Sequence, residues 1–299
     1  AVIVGSSRGN CAGWLDPWPG RRAVPLMGAS NSMHSEMAAA VTIELGIRGP
    51  YHVLANGCAS GLDAVGFGWS MVRSGMVPRA LVIGADLPLV PHILQSYRDS
   101  TLLTTNGLRD PYSSETTGFV PGEAGAALVL ESDPAHYPER PYGNVTGYWG
   151  NSDAAHPLRV PEGGSGVANC LRMALRDPAA LGGKPVAAVC PHASGTALHG
   201  RGESFALRSV FASESPISLH LLKPITGHTV GASGALDTAI LLHLMRRGKL
   251  PPNLPGLTSP GSPFTLPETP PDYDGGPVLK ISSGMGGHNA VVSLGGVRP

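Results

Sequence analysis

Short apolar runs alternate with helix-patterned segments along nearly the whole chain, and this alternation limits the fold more than any other feature. AVIVGS, YHVLA, RALVIGAD and GEAGAALVLES read as strands. Between them, SNSMHSEMAAAVTIELG reads as a helix, with Ser30 or Ser32 as its cap and Gly46 as its stop. GLDAVGFGWSMVRSG reads as another, with Leu62, Val65, Trp69 and Val72 at helical spacing. GNCAGWLDPWPGRRAVPL is a loop, and DPAHYPERPYG (133–143) is a linker by its proline and charge. The alternation then restarts. NVTGYWGNS, KPVAAVC and ISLHLLK read as strands; GSGVANCLRMALRD, RGESFALRSVF and ASGALDTAILLHLMRRG read as helices, the last stopped by Pro251 and Pro252. GPVLKISSGMGGHNAVVSLGG gives two final strands around a glycine-rich turn. The pattern predicts an α/β fold with buried sheets. It falls into two similar halves, 1–140 and 141–299, packed as one unit, with no readable sequence identity between them.

Composition narrows the function. With 299 residues, 42% of them apolar, the chain has enough material for a large core. Its 21 basic and 21 acidic residues balance, which gives no electrostatic footprint for nucleic acid or an anionic membrane. No apolar run reaches the roughly eighteen residues of a transmembrane helix. AVIVGSSRGN has no charged segment or cleavage pattern of a signal peptide. The four cysteines form no C-x-x-C pair, so neither a zinc site nor a disulfide framework is expected, and the chain reads as a reduced cytoplasmic protein.

Four turns carry reactive groups. Cys58, in NGCASG, sits between the strand YHVLA and the helix beginning just after Ser60. A helix N-terminus favours thiolate, so a lowered thiol pKa is expected, and the small neighbours Gly57, Ala59 and Gly61 leave room for a sharp turn. His192 follows the strand KPVAAVC and precedes Ser194, Gly195 and Thr196; strand ends are where α/β folds hold ligands. Lys223 and His228 lie in KPITGHTVGASG, again after a strand. SSGMGGHNA (282–290) is a turn able to bring backbone N–H groups to a substrate oxygen.

In order and approximate spacing, GCASG, GFVPGEAGAALVLE, HASGT, KPITGHTVGASG and GMGGHNA resemble the β-ketoacyl-acyl carrier protein synthases of the thiolase-like superfamily, from about Ser30 to Leu294. The resemblance implies a layered α-β-α-β-α fold of two βαβ-type halves. It implies that Cys58 accepts the acyl group and that His192 and His228 act on a malonyl unit, with Lys223 ahead of the second histidine. Glu203 matches an acidic residue of the active-site network and is grouped with the substrate contacts. The backbone N–H groups of Cys58 and Met285 are implied as the oxyanion hole, Met285 as a gate, and Ser194 and Thr196 as contacts for a phosphopantetheine arm. No bound cofactor or metal is implied. The partners are acyl carrier protein and a second synthase-like subunit in a homodimer or heterodimer, whose edge is expected near RALVIGAD or YHVLA.

Departures from the pattern sharpen the alternatives. The first histidine opens His-Ala-Ser-Gly-Thr where relatives usually have His-Gly-Thr-Ser-Thr, an expected aspartate is Gly200, and Met285 replaces a phenylalanine. The chain is also short ahead of AVIVGS relative to the family, so an incomplete N-terminal half-sheet is expected. A thiolase normally has a second cysteine where this chain has Gly286-Gly287-His288, and a starter-unit synthase has asparagine at His228. An acyltransferase without condensation and a chain-length-factor-like partner subunit are the remaining alternatives; Cys58 speaks against the second.

Overall fold

A computed structural model describes residues 1–11, 33–132, 141–157, 160–212 and 216–296. Among them run two sheets. The first contains β1 (Val2–Gly5), β2 (Tyr51–Leu54), β3 (Arg79–Asp86) and β4 (Ala124–Glu131) in the order β2-β1-β3-β4. β1 is parallel to β2 and β3, and β4 returns antiparallel beside β3. The second contains β5 (Asn144–Ser152), β6 (Ala188–Cys190), β7 (Ile217–Leu219), β8 (Phe264–Thr265), β9 (Val278–Gly284) and β10 (His288–Gly295), ordered β5-β10-β9-β6-β7-β8. β9 and β10 form the expected hairpin around the glycine-rich turn.

Two helices lie between the sheets. The Ser60–Arg73 helix packs on β1 and β3 on one side and β5 and β10 on the other, while the Ser233–Arg246 helix packs on β3, β4 and β9. Outer layers are the Glu36–Glu44 helix on β1 and β2, and the Ser165–Leu175 helix, which packs on β5, β10 and the Ala197–Phe211 helix. This is the α/β fold expected from the alternation, in the layered α-β-α-β-α arrangement that the resemblance implies. Strands buried on both faces explain the unbroken apolar runs, since β1 and β9 have every residue buried.

The two central helices share a design that the sequence comparison of the halves missed. Each is 14 residues long and is preceded by a three-residue 3-10 turn, Gly57–Ala59 and Val230–Ala232. Each turn opens with a positive φ, 59° at Gly57 and 47° at Val230. Cys-Ala-Ser-Gly in the first aligns with Gly-Ala-Ser-Gly in the second. The backbones touch: a Cβ on Gly61 would lie 2.6 Å from the Gly231 carbonyl oxygen, and one on Gly234 would lie 2.3 Å from the Leu62 nitrogen. Glycine at these positions is what lets the helices meet.

Other details differ from the sequence reading. RALVIGAD has no free edge, because β3 is flanked by β1 and β4; among the described residues the edges of this sheet are β2, which is YHVLA, and β4. The Pro91–Asp99 helix was not foreseen, although proline at its first position and buried Tyr97 fit it. The caps Ser30 and Ser32, most of the Trp-rich loop and residues 133–140 of the linker lie outside the described residues.

Candidate active site

The turns after β2, β6 and β7 and the hairpin turn between β9 and β10 converge on one cavity of about 670 Å³. Cys58, His192, Ser194, Thr196, His228 and Met285 all line it. Cys58 is 7% exposed, at the centre of its 3-10 turn. The hairpin turn packs against that turn so closely that a Cβ on Gly284 would be 2.4 Å from the Asn56 carbonyl oxygen. Met285 thereby brings its backbone N–H to the Cys58 sulfur. Asp63 ties the turn down from one helical turn away, accepting hydrogen bonds from Asn56 Nδ2 at 2.8 Å and Tyr148 Oη at 2.8 Å and pairing with His288 Nε2 at 2.9 Å.

Burial outweighs the helix terminus at Cys58. It pushes the thiol up to about 11, against the opposing effects of the Lys223 charge and the Met285 N–H. The lowered pKa expected from position alone is therefore reversed. The proton has an acceptor beside it: His228 Nε2 lies 3.2 Å from Cys58 Sγ. On the far side, His228 Nδ1 is 3.2 Å from Ser233 Oγ, which is 3.1 Å from Thr229 Oγ1. Phe119 packs edge-on against the His228 ring at 5.0 Å.

His192 meets His228 edge to face, with ring centroids 5.2 Å apart. Its turn is held from behind by Glu203, whose carboxylate accepts the His192 N–H at 2.7 Å, the Ala193 N–H at 2.9 Å and the Tyr112 hydroxyl at 3.0 Å. Glu203 is fully buried and absent from the cavity wall, and its contacts are with the His192 turn and Tyr112. Ala193 has φ 45°, a strained conformation for a residue with a side chain, and the Glu203 bond to its N–H helps hold it there.

A buried charge cluster lies beneath the histidines. Asp237 Oδ2 is 2.6 Å from Lys280 Nζ and 3.5 Å from Lys223 Nζ. Lys280 also donates to the Pro191 carbonyl at 3.2 Å, one residue before His192. Burial, and next the positive charge on Lys223, push both His192 and His228 well below the ordinary histidine range. Both rings are therefore neutral at neutral pH. Lys223 does not line the large cavity; it acts on the histidines through its charge. Asp86 anchors the second 3-10 turn, accepting from Ser6 Oγ at 2.9 Å, Ser7 N at 2.9 Å, Arg8 N at 3.2 Å and Gly231 N at 2.7 Å.

Gly200 has a local explanation. A Cβ there would lie 2.6 Å from the Pro111 carbonyl oxygen, so the chain path before Tyr112 closes that position to any side chain. His199, Ser233, Asp237 and Lys280 are the site residues that sequence reasoning passed over. A lysine inside the apolar strand VLKISSG and an aspartate in the apolar helix SGALDTA were the available signals for two of them.

Comparison with known proteins shows the family. The family described as "Beta-ketoacyl synthase, N-terminal domain" matches residues 1–136, and its C-terminal domain matches residues 142–256. A putative polyketide beta-ketoacyl synthase 1 of Streptomyces virginiae is 31% identical over 319 residues, covering 98% of this chain and 74% of that protein. The tetracenomycin polyketide synthase ketoacyl synthase alpha subunit of Streptomyces glaucescens is 29% identical, covering 85% of this chain and 62% of its own length. A 3-oxoacyl-acyl-carrier-protein synthase 2 of Staphylococcus aureus is 26% identical, covering 84% and 64%. The chain thus spans only part of each relative. Among solved structures, a type II polyketide ketosynthase bound to its acyl-carrier protein superposes with TM-score 0.86 at 24% identity, over 99% of this chain and 78% of the other. The ishigamide ketosynthase/chain length factor gives TM-score 0.84 at 26% identity, over 99% and 75%.

Proposed function

The chain belongs to the beta-ketoacyl synthase family, and from that premise we propose that it condenses an acyl group carried on Cys58 with a malonyl-acyl carrier protein, releasing carbon dioxide and a 3-oxoacyl-carrier protein. The observation that carries this reading is the 3.2 Å contact between the Cys58 sulfur and His228, beside His192 in one cavity.

In the first half-reaction Cys58 gives its proton to His228 Nε2 as the sulfur attacks an acyl thioester. The oxygen that becomes negative is held by the backbone N–H groups of Cys58 and Met285. The carbon–sulfur bond to the carrier breaks, and His228 returns the proton to the leaving thiolate. Ser194 and Thr196 stand on the cavity wall where the phosphopantetheine arm enters. In the second half-reaction His192 and His228 donate to the malonyl thioester oxygen. The bond to the carboxylate breaks, its electron pair forms the enolate, and carbon dioxide leaves. The enolate carbon attacks the acyl carbon, the bond to Cys58 breaks, and the Cys58 thiolate takes up a proton from solvent by way of His228.

His228 must therefore accept at Nε2 in one step and donate there in the other. The Ser233 hydroxyl both donates and accepts, so it serves either tautomer from the Nδ1 side. Neutral rings suit both tasks, and burial, with the positive charges of Lys223 and Lys280, keeps them neutral. The proposed partners are acyl carrier protein and a second synthase-like subunit.

The test is intact mass after incubation with acyl-carrier protein, followed by release of labelled carbon dioxide from malonyl-carrier protein. Acylation at Cys58 and release dependent on both histidines are expected. A Cys58 that stays free while a co-purifying subunit is acylated would replace this reading with that of a chain-length-factor-like partner. Acyl transfer without carbon dioxide release would indicate a plain acyltransferase.

A further inference from the structure

His199 stands on the same cavity wall as His192, in the first turn of the Ala197–Phe211 helix. The two rings are 4.7 Å apart, edge to face. His199 is 7% exposed, and neither of its ring nitrogens has a hydrogen-bond partner. Nδ1 faces Glu203 Oε2 at 3.9 Å, beyond hydrogen-bond reach, and that carboxylate already accepts from two backbone N–H groups and Tyr112. Buried polar groups are normally paired. Both nitrogens are shielded within the cavity wall with no partner to fix the tautomer, so an acceptor that arrives with a ligand meets one of them by a turn of the ring.

We propose that His199 binds the free carboxylate of the malonyl-type extender, an inference that rests on the condensation reading above. With the thioester oxygen held between His192 and His228, the carboxylate is one methylene away from the thioester carbon. His199 adjoins His192 on that wall. Ser194 Oγ and Thr196 Oγ1 already face each other at 3.2 Å. Gly200, the next residue, has no room for a polar side chain. Nδ1 faces Glu203, so Nε2 is the nitrogen assigned to the ligand. A neutral N–H donor also suits the reaction. A fixed cation would stabilise the carboxylate most before the bond breaks, and that hold is lost as the group becomes carbon dioxide. Burial holds His199 below the ordinary histidine range, in its neutral form.

The test compares two transfer-resistant carrier analogues with an amide in place of the thioester, one malonyl and one acetyl. Wild-type protein is expected to bind the malonyl form about tenfold tighter or more, the scale of one hydrogen bond to a charged group. His199→Ala is expected to erase that preference, and His199→Gln, which keeps a side-chain N–H, to retain part of it. In turnover, His199→Ala is expected to raise the KM for malonyl-carrier by about the same factor, with the smaller effect on kcat. An unchanged malonyl preference in both variants, or a loss confined to kcat, overturns the proposal. If wild-type protein releases no carbon dioxide, the condensation reading fails on its own, and the binding ratio still decides the role of His199.

Discussion

His228 Nε2 contacts the Cys58 sulfur at 3.2 Å, whereas His192 reaches that pair only through the His228 ring, 5.2 Å away centroid to centroid. On the proposed mechanism the two histidines are therefore expected to divide the half-reactions unequally. His228→Ala is expected to slow both Cys58 acylation and condensation, by roughly 10²–10⁴-fold for a lost acid–base group. His192→Ala is expected to suppress carbon dioxide release by a similar factor while acylation, followed by intact mass, falls far less. Equal losses in both half-reactions for His192→Ala would contradict this division.

Cys58 gives a pH signature. Its thiol is pushed up to about 11 by burial, so the protonated form persists through neutral pH and the thiolate fraction keeps growing above pH 9. Alkylation of Cys58 by iodoacetamide, read by mass, is expected to accelerate across that interval. A plateau below pH 7 would show that the helix terminus dominates instead. Because a raised acid pKa penalises the charged form in the folded state, this group subtracts stability as pH rises above the unfolded thiol value.

Asp237 pairs with two buried ammonium groups. Asp237→Asn is expected to destabilise the fold by about 3–5 kcal/mol, the cost of leaving buried charges uncompensated. Chemical denaturation measures it. Lys280→Met in the same background removes one of the stranded charges and is expected to recover part of the loss.

Gly200→Asp restores the residue usual in relatives. The Pro111 carbonyl occupies its Cβ position at 2.6 Å, so the substitution is expected to cost about 1–3 kcal/mol through overpacking and to lower condensation activity. Unchanged thermal stability together with higher activity would show that the Pro111 segment yields.

Much of this arrangement is legible in the sequence because strand ends and glycine turns are local signals. NGCASG, HASGT and GHTVG each announce a turn after an apolar strand, and all three reach the cavity. What escaped depends on distant contacts. Lys280 sits in an apolar strand and Asp237 in an apolar helix; each has meaning only through the other. His199 looked incidental among eleven histidines until the helix placed it against His192. The direction of the Cys58 shift was misjudged for the same reason: a helix terminus is visible in the chain, whereas desolvation is set by everything folded around it.

The paired 3-10 turns have a consequence for stoichiometry. The position matching Cys58 in the second turn is Gly231, where a Cβ would lie 2.4 Å from the Ser7 nitrogen and 2.5 Å from Asp86 Oδ2. The duplicated architecture therefore has room for a nucleophile at one turn and a locking carboxylate at the other. On the proposed function, acyl loading at the paired turns is expected to saturate at one equivalent per chain, and a second thiol cannot be installed at the mirrored position without displacing Asp86 and the Ser6–Ser7 backbone from it.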